Sequence, residues 1–143
     1  MLTRFLACVF LLLVAGCASY EQIRADKTLF TDLGGMPGVT ALARDLVDFS
    51  SANPAIRRHF EKIDREDLKK QIAEQFCSLS GGPCTYKGKD MVKAHKGLDL
   101  SEADFNALVE DLRRAFERNA TPVSAGNRLL ALLAPMKREV LHR

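Results

Sequence analysis

The chain has 143 residues, of which 47% are apolar and 27% are charged, with no tryptophan and five prolines. This composition is typical of one globular domain and excludes disordered and collagen-like chains. The net charge of +3 comes from 21 lysines and arginines against 18 aspartates and glutamates. Because the acidic and basic residues alternate along the chain, the charge predicts no nucleic-acid partner.

The amino end has the organisation of a secretory signal. Arg4 precedes an apolar run of 11 residues, which as a helix reaches only about 16 Å and is too short to cross a bilayer. The sequence Leu13-Val14-Ala15-Gly16-Cys17 resembles the lipobox of bacterial lipoproteins, in which the cysteine carries lipid and becomes the first mature residue. A plain secretory signal that is cut nearby is the alternative.

The lipobox resemblance implies a signal peptide over residues 1–16 and a lipidated Cys17, with a tether over residues 17–28. Acyl chains on this cysteine would hold the protein on a membrane without a transmembrane helix. Ala18 after the cysteine resembles the type that is sorted to the outer membrane. We therefore expect a protein of the bacterial cell envelope, anchored by lipid at the outer membrane and facing the periplasm.

Two further cysteines follow in the mature chain. Cys77 and Cys84 are separated by six residues, which include the chain-reversing sequence Gly81-Gly82-Pro83. In an oxidising compartment such a pair is expected to form a disulfide. The alternative is two unpaired thiols, one of them packed under a helix.

Helix follows helix from residue 29 to the end of the sequence. Apolar residues three and four positions apart form stripes, whereas no stretch alternates with the period of a strand. The stripes cover Leu29–Leu33, Val39–Val47, Leu68–Leu79, Phe105–Phe116 and Leu129–Val140. These patterns predict an all-α domain of five or six helices over residues 29–143.

Capping residues mark several helix ends. Asp64 with Asp67, and Ser101 with Asp104, have the spacing of N-terminal caps. The Gly-Gly pairs at 34–35 and 81–82 predict helix ends, because they lack the strand context of a phosphate loop. A short helix is expected over residues 90–97, and a last helix over residues 124–141, which Pro135 should kink.

Residues that carry catalytic chemistry are sparse. The sequence contains no Gly-x-Ser-x-Gly and no His-Glu-x-x-His motif, which disfavours a hydrolase. Its three histidines are His59, His95 and His142. Alone, His95 at the end of the short helix indicates a helix-end residue more than a ligand, and His142 is expected in solvent.

The motifs around His95 change this interpretation. The sequence contains Leu29-Phe30-x-x-Leu33-Gly34-Gly35, Asn53-Pro54 with Phe60, Gly81-Gly82-Pro83-x-x-Tyr86-x-Gly88-x-x-Met91-x-x-x-His95-x-Gly97, and Leu132-Leu133-Ala134-Pro135. In this order, and over residues 29–141, they resemble the group 1 truncated haemoglobins, the 2-on-2 globins.

The resemblance implies a truncated globin fold that binds haem b without covalent attachment. His95 takes the place of the proximal iron ligand, and we expect a backbone carbonyl one turn earlier to bind its other ring N–H. The residues implied to contact the cofactor are Phe60, Leu68, Ile72, Phe76, Tyr86, Met91, His95, Leu98, Phe105 and Leu108. Four lysines are candidate partners of the propionates, although each also suits a solvated surface: Lys69, Lys70, Lys93 and Lys96.

The distal side departs from the family pattern. Members usually place a tyrosine and a glutamine over the iron, where they donate hydrogen bonds to bound O2. Here Val47 and Ile72 stand in those places, with Leu68 beside them, so we expect an apolar distal pocket, weak retention of O2 and fast oxidation of the iron. Gln71 or Gln75 turning inward would restore a donor, and His59 would become a second ligand only if its corner rearranged.

Two functions follow from the resemblance. The favoured one is the binding of O2, NO or CO at the haem iron, with the carriage of O2 that the family implies. The second is a redox enzyme on the same iron, an NO dioxygenase or a peroxidase-like protein, but the missing donors argue against a persistent oxygen complex. A globin-like interaction lipoprotein without haem is a third alternative, which the intact His95 motif disfavours.

Overall fold

The helices form around apolar stripes, as the sequence predicts, and the computed structural model describes them over residues 27–143. The predicted signal peptide, Cys17 and all but the end of the tether lie outside the described residues. The α-helices are α1 (Leu29–Asp32), α2 (Gly35–Ala52), α3 (Arg65–Leu79), α4 (Met91–Ala94), α5 (Glu102–Arg118), α6 (Val123–Leu133) and α7 (Lys137–Val140). Short 3₁₀ turns occupy Arg57–Phe60 and Ala134–Met136.

The prediction of an all-α fold is confirmed. Between residues 27 and 143 the only strand-like pairing is an isolated parallel bridge between Leu100 and Leu141. The long helix α2 packs against both α3 and α5, and α6 closes the core against α1, α3 and α5. No helix in this part of the chain is long and apolar enough to span a membrane.

The N-terminal caps have the predicted residues, with one difference. Ser101 and Asp104 form a reciprocal capping box at the start of α5, which satisfies amide groups that the first turn leaves free. At α3 the side chain of Asp64 caps the amides of Glu66 and Asp67. The side chain of Asp67 does not share in this cap, because it accepts a hydrogen bond from Gln71 instead.

Two predicted helices are shorter than expected. The helix at residues 90–97 covers only Met91–Ala94, because Leu98 N bonds back to His95 O and Gly97 adopts a φ of 83° that ends the helix. The last helix does not run to residue 141 with a kink. It ends at Leu133, and Pro135, which has no N–H to donate, lies in the 3₁₀ turn that follows.

Two buried carboxylates join α2 to α5, and the sequence patterns did not reveal them. Asp111 is 1% exposed and accepts hydrogen bonds from Asn53 Nδ2 at 2.8 Å and from Arg114 Nη1 at 2.9 Å. Asp45, also buried, accepts one from Asn119 Nδ2 at 2.8 Å. Burial raises the pKa of Asp45, but the hydrogen bonds from Arg44 and Asn119 outweigh burial and lower it. Through these hydrogen bonds, both carboxylates tie the two helices together.

Candidate cofactor site

The imidazole of His95 is held by the short helix that precedes it. Asp90 caps α4 by accepting a hydrogen bond from Lys93 N at 2.8 Å, and this bond, with the Lys93 side chain, lowers the pKa of Asp90. His95 follows the last residue of α4, and its Nδ1 lies 2.8 Å from Met91 O. Because a carbonyl oxygen only accepts, Nδ1 carries the proton, and the lone pair of Nε2 is left for a metal. The predicted carbonyl partner one turn earlier is confirmed.

One imidazole from the protein is enough for an iron whose other ligands come from a porphyrin. Among residues 27–143 no group of three or more histidine, cysteine, aspartate or glutamate side chains is placed to hold a metal ion. A porphyrin supplies four nitrogen ligands to its iron and needs only one or two from the protein. The donor set around His95 therefore fits haem, and it does not resemble a site for a bare metal ion.

Several apolar side chains of the predicted contact set are left partly open to solvent. Those of the predicted contact set that are half-buried are Phe60, Leu68, Ile72, Tyr86, Met91, Phe105 and Leu108. A cavity of about 270 Å³ is lined by Gln75, Ser78, Leu79, Tyr86, Asp90, Met91, Met136 and Glu139. It lies between α3, α4 and residues 136–139. Its lining includes Met91, whose backbone carbonyl holds the His95 ring, and a mostly apolar cleft is the surrounding that a flat apolar macrocycle requires.

A sequence model of the family described as bacterial-like globin matches residues 28–142, which is most of the chain. The chain belongs to this globin family. It is also 33% identical over 90 residues to the group 1 truncated hemoglobin of Tetrahymena thermophila, covering 63% of this chain and 74% of the relative. A relative from Chlamydomonas moewusii, group 1 truncated hemoglobin LI410, is 35% identical over 121 residues, covering 80% of this chain and 68% of the relative.

Solved structures agree with the sequence relatives. The truncated hemoglobin from Tetrahymena pyriformis in its Fe(III) form superimposes with a TM-score of 0.77 at 25% identity, covering 80% of this globin and 98% of that chain. A form of the same protein in which one glutamine is replaced by glutamate gives the same TM-score at 26% identity. The truncated globin fold predicted from the sequence is therefore confirmed.

The predicted contact residues differ in this globin in whether they line the cavity, lie in the core or are exposed. Tyr86 and Met91 line the cavity, and the Tyr86 hydroxyl donates to Lys89 O at 2.8 Å. Burial, with smaller effects from Glu74 and Asp90, raises the pKa of Tyr86. Two other residues of the set lie at the extremes of exposure: Phe76 is packed in the hydrophobic core, whereas Leu98 is 37% exposed.

Six of the residues that line the cavity were absent from the predicted contact set: Gln75, Ser78, Leu79, Asp90, Met136 and Glu139. Leu79 continues the apolar stripe of α3, so the sequence carried a signal for it. Gln75 was expected only as an alternative distal donor, and Met136 only as part of the apolar stripe of the last helix. The Gln75 amide nitrogen lies 3.6 Å from Met91 Sδ and 3.8 Å from Met136 Sδ, which joins α3 to both sides of the cavity.

The residues predicted for the distal side carry no hydrogen-bond donor in their side chains. Val47 is fully buried on α2, and Leu68 and Ile72 are half-buried on α3. The two glutamines expected as alternative donors have other partners. The amide of Gln71 donates to Asp67 Oδ2 at 2.5 Å, and that of Gln75 contacts the two methionine sulfurs described above.

Two of the four predicted propionate partners already bind carboxylates. Lys69 Nζ lies 2.8 Å from both Asp48 Oδ1 and Glu66 Oε1, and these bonds raise its pKa. Lys93 pairs with its capping residue Asp90 at 3.0 Å. The remaining two, Lys70 and Lys96, are exposed.

The side chain of His59 is directed to the start of α5. The side chain is only 14% exposed. Its Nε2 is buried without a hydrogen bond and lies 3.6 Å from Asp104 Oδ1. Hydrogen bonds from Ser101, helped by the Arg58 guanidinium, hold the pKa of Asp104 well below its usual range. A histidine facing this anion is positioned to support the capping box, and a role as iron ligand would require it to leave the carboxylate.

Cys77 and Cys84 form the predicted disulfide. Cys77 on α3 is bonded to Cys84 in the loop that leads to Tyr86 and α4. Gly82 allows this approach, since a Cβ at that position would lie 2.7 Å from Cys77 Sγ and 2.7 Å from the ring of Phe30. The bond therefore fastens the start of the histidine-bearing loop to α3.

Proposed function

We propose that this globin binds haem b non-covalently through His95 and uses the iron to bind O2, NO or CO. The observation that carries the proposal is the hydrogen bond from His95 Nδ1 to Met91 O, which presents Nε2 as the ligating atom. Bound haem supplies an iron with a coordination position for a diatomic gas. The apolar residues of α3, α4 and α5 supply the walls that keep the macrocycle dry.

Residues around His95 determine the tautomer and the orientation in which its imidazole would bind the iron. Donation to a carbonyl sets the tautomer and makes the imidazole a stronger ligand. Asp90 holds the first turn of α4 in place, so the carbonyl of Met91 stays in line with the ring. Gas binding rather than oxygen activation suits the site, since the side chains assigned to the distal side lack donors for a bound oxygen molecule.

A titration with haemin tests the proposal. The purified protein should bind one equivalent and give ferric, ferrous and CO-bound absorption spectra of a histidine-ligated haem. A His95→Gly variant should lose the histidine signature, and added imidazole should restore it. Lys96→Ala, which changes the exposed neighbour, is the matched control and should behave like the parent. Unaltered spectra in His95→Gly would refute the assignment of the ligand.

We also propose that the protein is a lipoprotein of the bacterial envelope, anchored through Cys17 and facing the periplasm. The lipobox-like sequence supports this location, and so does the Cys77–Cys84 disulfide, because such bonds persist in oxidising compartments. Labelling of the whole chain with a radioactive fatty acid should be lost in Cys17→Ala and retained in Cys8→Ala. Equal labelling of the two variants would exclude Cys17 as the lipid site.

A further inference from the structure

The segment that carries His95 contributes almost nothing to the hydrophobic core. From residue 81 to residue 99 no side chain is buried. The helix within it, α4, has only four residues, and so short a helix is not stable by itself. Contacts from outside the segment must therefore determine where His95 stands.

One such contact is the disulfide at its beginning, and the other is a backbone pairing at its end. Arg143 O accepts hydrogen bonds from Gly97 N at 2.8 Å and from Asp99 N at 3.0 Å. His142 N donates to Leu100 O at 3.1 Å, beside the isolated parallel bridge that joins residues 100 and 141. Residues 141–143 thus pair with residues 97–100, which begin two positions after His95.

The backbone on both sides of this pairing is strained. Asp99 has a φ of 44° and His142 a φ of 54°, in the left-handed region that side chains other than glycine rarely adopt. Such conformations cost free energy and persist where surrounding interactions fix them. The two strained residues also meet, with His142 Nδ1 3.4 Å from Asp99 Oδ1.

The segment 141–143 is itself well anchored. It follows α7, whose last residue, Val140, is buried, and the side chain of Arg143 donates to the carbonyls of Glu139 and Arg138. The pairing therefore connects the loop behind His95 to a fixed part of the molecule. On the other side, Leu98 N donates to His95 O at 3.1 Å, so the connection reaches the histidine through one short turn.

We propose that residues 141–143 are a positioning element for the iron ligand: by pairing with residues 97–100 they hold His95 against Met91 O and so set how firmly its imidazole binds haem. This inference rests on the proposed function, since it assigns a role toward the same ligand. Without the pairing, the loop after His95 has no backbone partner outside itself among the hydrogen bonds of the described residues. His95 would then sample orientations in which Nε2 leaves the iron.

A shortened chain that ends at Leu141 removes all three hydrogen bonds of the pairing. The matched control is the full-length variant Arg138→Ala, which removes an exposed side chain of α7 but keeps the pairing and the backbone carbonyl that accepts from Arg143. In the haem-loaded proteins, we expect transfer of haem to excess apoglobin to be about tenfold faster in the shortened chain, the size of effect that a lost backbone hydrogen bond supports. The control should match the parent.

Amide hydrogen exchange gives a readout that does not depend on haem transfer. Residues 91–100 should exchange faster in the shortened chain, whereas α2 and α5 should keep their protection. A second variant, His142→Pro, keeps the chain length, removes one donor and is incompatible with the φ at that position. It should show the same faster haem transfer and the same faster amide exchange. The proposal can therefore be tested with this variant alone if the shortened chain does not fold.

The His95→Gly background separates a positioning role from a general loss of stability. With imidazole supplied in solution, the ligand is no longer attached to the chain, and shortening should then leave haem transfer unchanged. Equal acceleration with and without His95 would overturn the positioning role, as would parent-like transfer and exchange in both test variants. If instead His95→Gly itself leaves the haem spectrum unaltered in the full-length chain, the proposed ligand is wrong, whatever the tail does.

Discussion

At the scale of single residues, we expect the side chains predicted for the distal side to decide which gas is retained. Bound O2 carries partial negative charge and is stabilised by a hydrogen-bond donor, whereas CO depends much less on one. Val47, Leu68 and Ile72 offer no donor, and the amides of Gln71 and Gln75 are engaged elsewhere. The expected result is a globin that releases O2 quickly and oxidises readily.

Placing a donor at Ile72 tests this account. In Ile72→Gln we expect O2 to dissociate about tenfold more slowly, because one hydrogen bond contributes about 1–2 kcal/mol, and CO to dissociate at nearly the parent rate. Stopped-flow displacement of O2 by CO measures the change. Ile72→Leu keeps the volume without the donor and serves as control. If the leucine variant slows O2 release as much as the glutamine variant, the donor is not the cause.

At the scale of elements, the start of α5 depends on its capping box. The Ser101 hydroxyl bonds to Asp104, whose pKa is held below its usual range first by Ser101 and then by Arg58. A carboxylate with a lowered pKa stabilises the fold fully above its unfolded pKa of about 4 and loses that contribution as the pH falls below it. Ionised Asp104 also balances Arg58 and faces His59.

Replacing Ser101 by alanine should therefore destabilise the protein in a pH-dependent way. We expect a loss of about 1 kcal/mol in the free energy of unfolding at neutral pH, which shrinks as the pH falls below about 4. Urea unfolding at a series of pH values measures it. Ser124→Ala makes the same chemical change at an exposed position of α6 and should have little effect. A loss that stays constant down to low pH would rule out the carboxylate as its source.

The loop before α4 depends on a covalent fastening. The disulfide joins two residues seven positions apart, and closing so short a loop contributes about 2–3 kcal/mol in the loop-entropy model. Cys77 is fully buried, so a reductant must attack the half-buried Cys84 sulfur. The reducible bond therefore lies at the start of the segment that carries His95.

Removal of the disulfide should lower the free energy of unfolding by about 2–3 kcal/mol. The double variant Cys77→Ala, Cys84→Ala, and the parent treated with a reductant, should both show the loss in urea unfolding. The reductant should not change the double variant, which controls for effects on the rest of the chain. Unfolding of the parent at the same urea concentration with and without reductant would show that the bond does not constrain the unfolded state.

At the scale of the whole molecule, apolar stripes were enough to predict the fold. The stripe from Phe105 to Phe116, preceded by the Ser101 cap, gave α5 nearly to the residue, because helix period and capping act locally. Features set by distant contacts were not accessible in this way. The carboxylate of Asp111 is buried with hydrogen bonds from Ser50, Asn53 and Arg114, whereas a stripe pattern predicts that an aspartate lies in solvent.

The site was predictable in part for the same reason. The bond from His95 to Met91 follows from one turn of helix and was expected from the sequence. Gln75 and Met136 come together across the fold, where neither spacing nor composition places them. The pairing of residues 141–143 with the loop after His95 joins segments about 40 positions apart through backbone atoms, which side-chain identity does not reveal.

The central claim is that Nε2 of His95 ligates the iron of a bound haem. Resonance Raman spectroscopy of the ferrous protein measures the iron–histidine stretching vibration directly, and isotopic labelling of the histidine ring nitrogens identifies it. We predict a band that shifts on labelling in the parent and is absent in His95→Gly, where free imidazole restores it. A labelled band that persists in His95→Gly would show that another histidine holds the iron and would contradict the account.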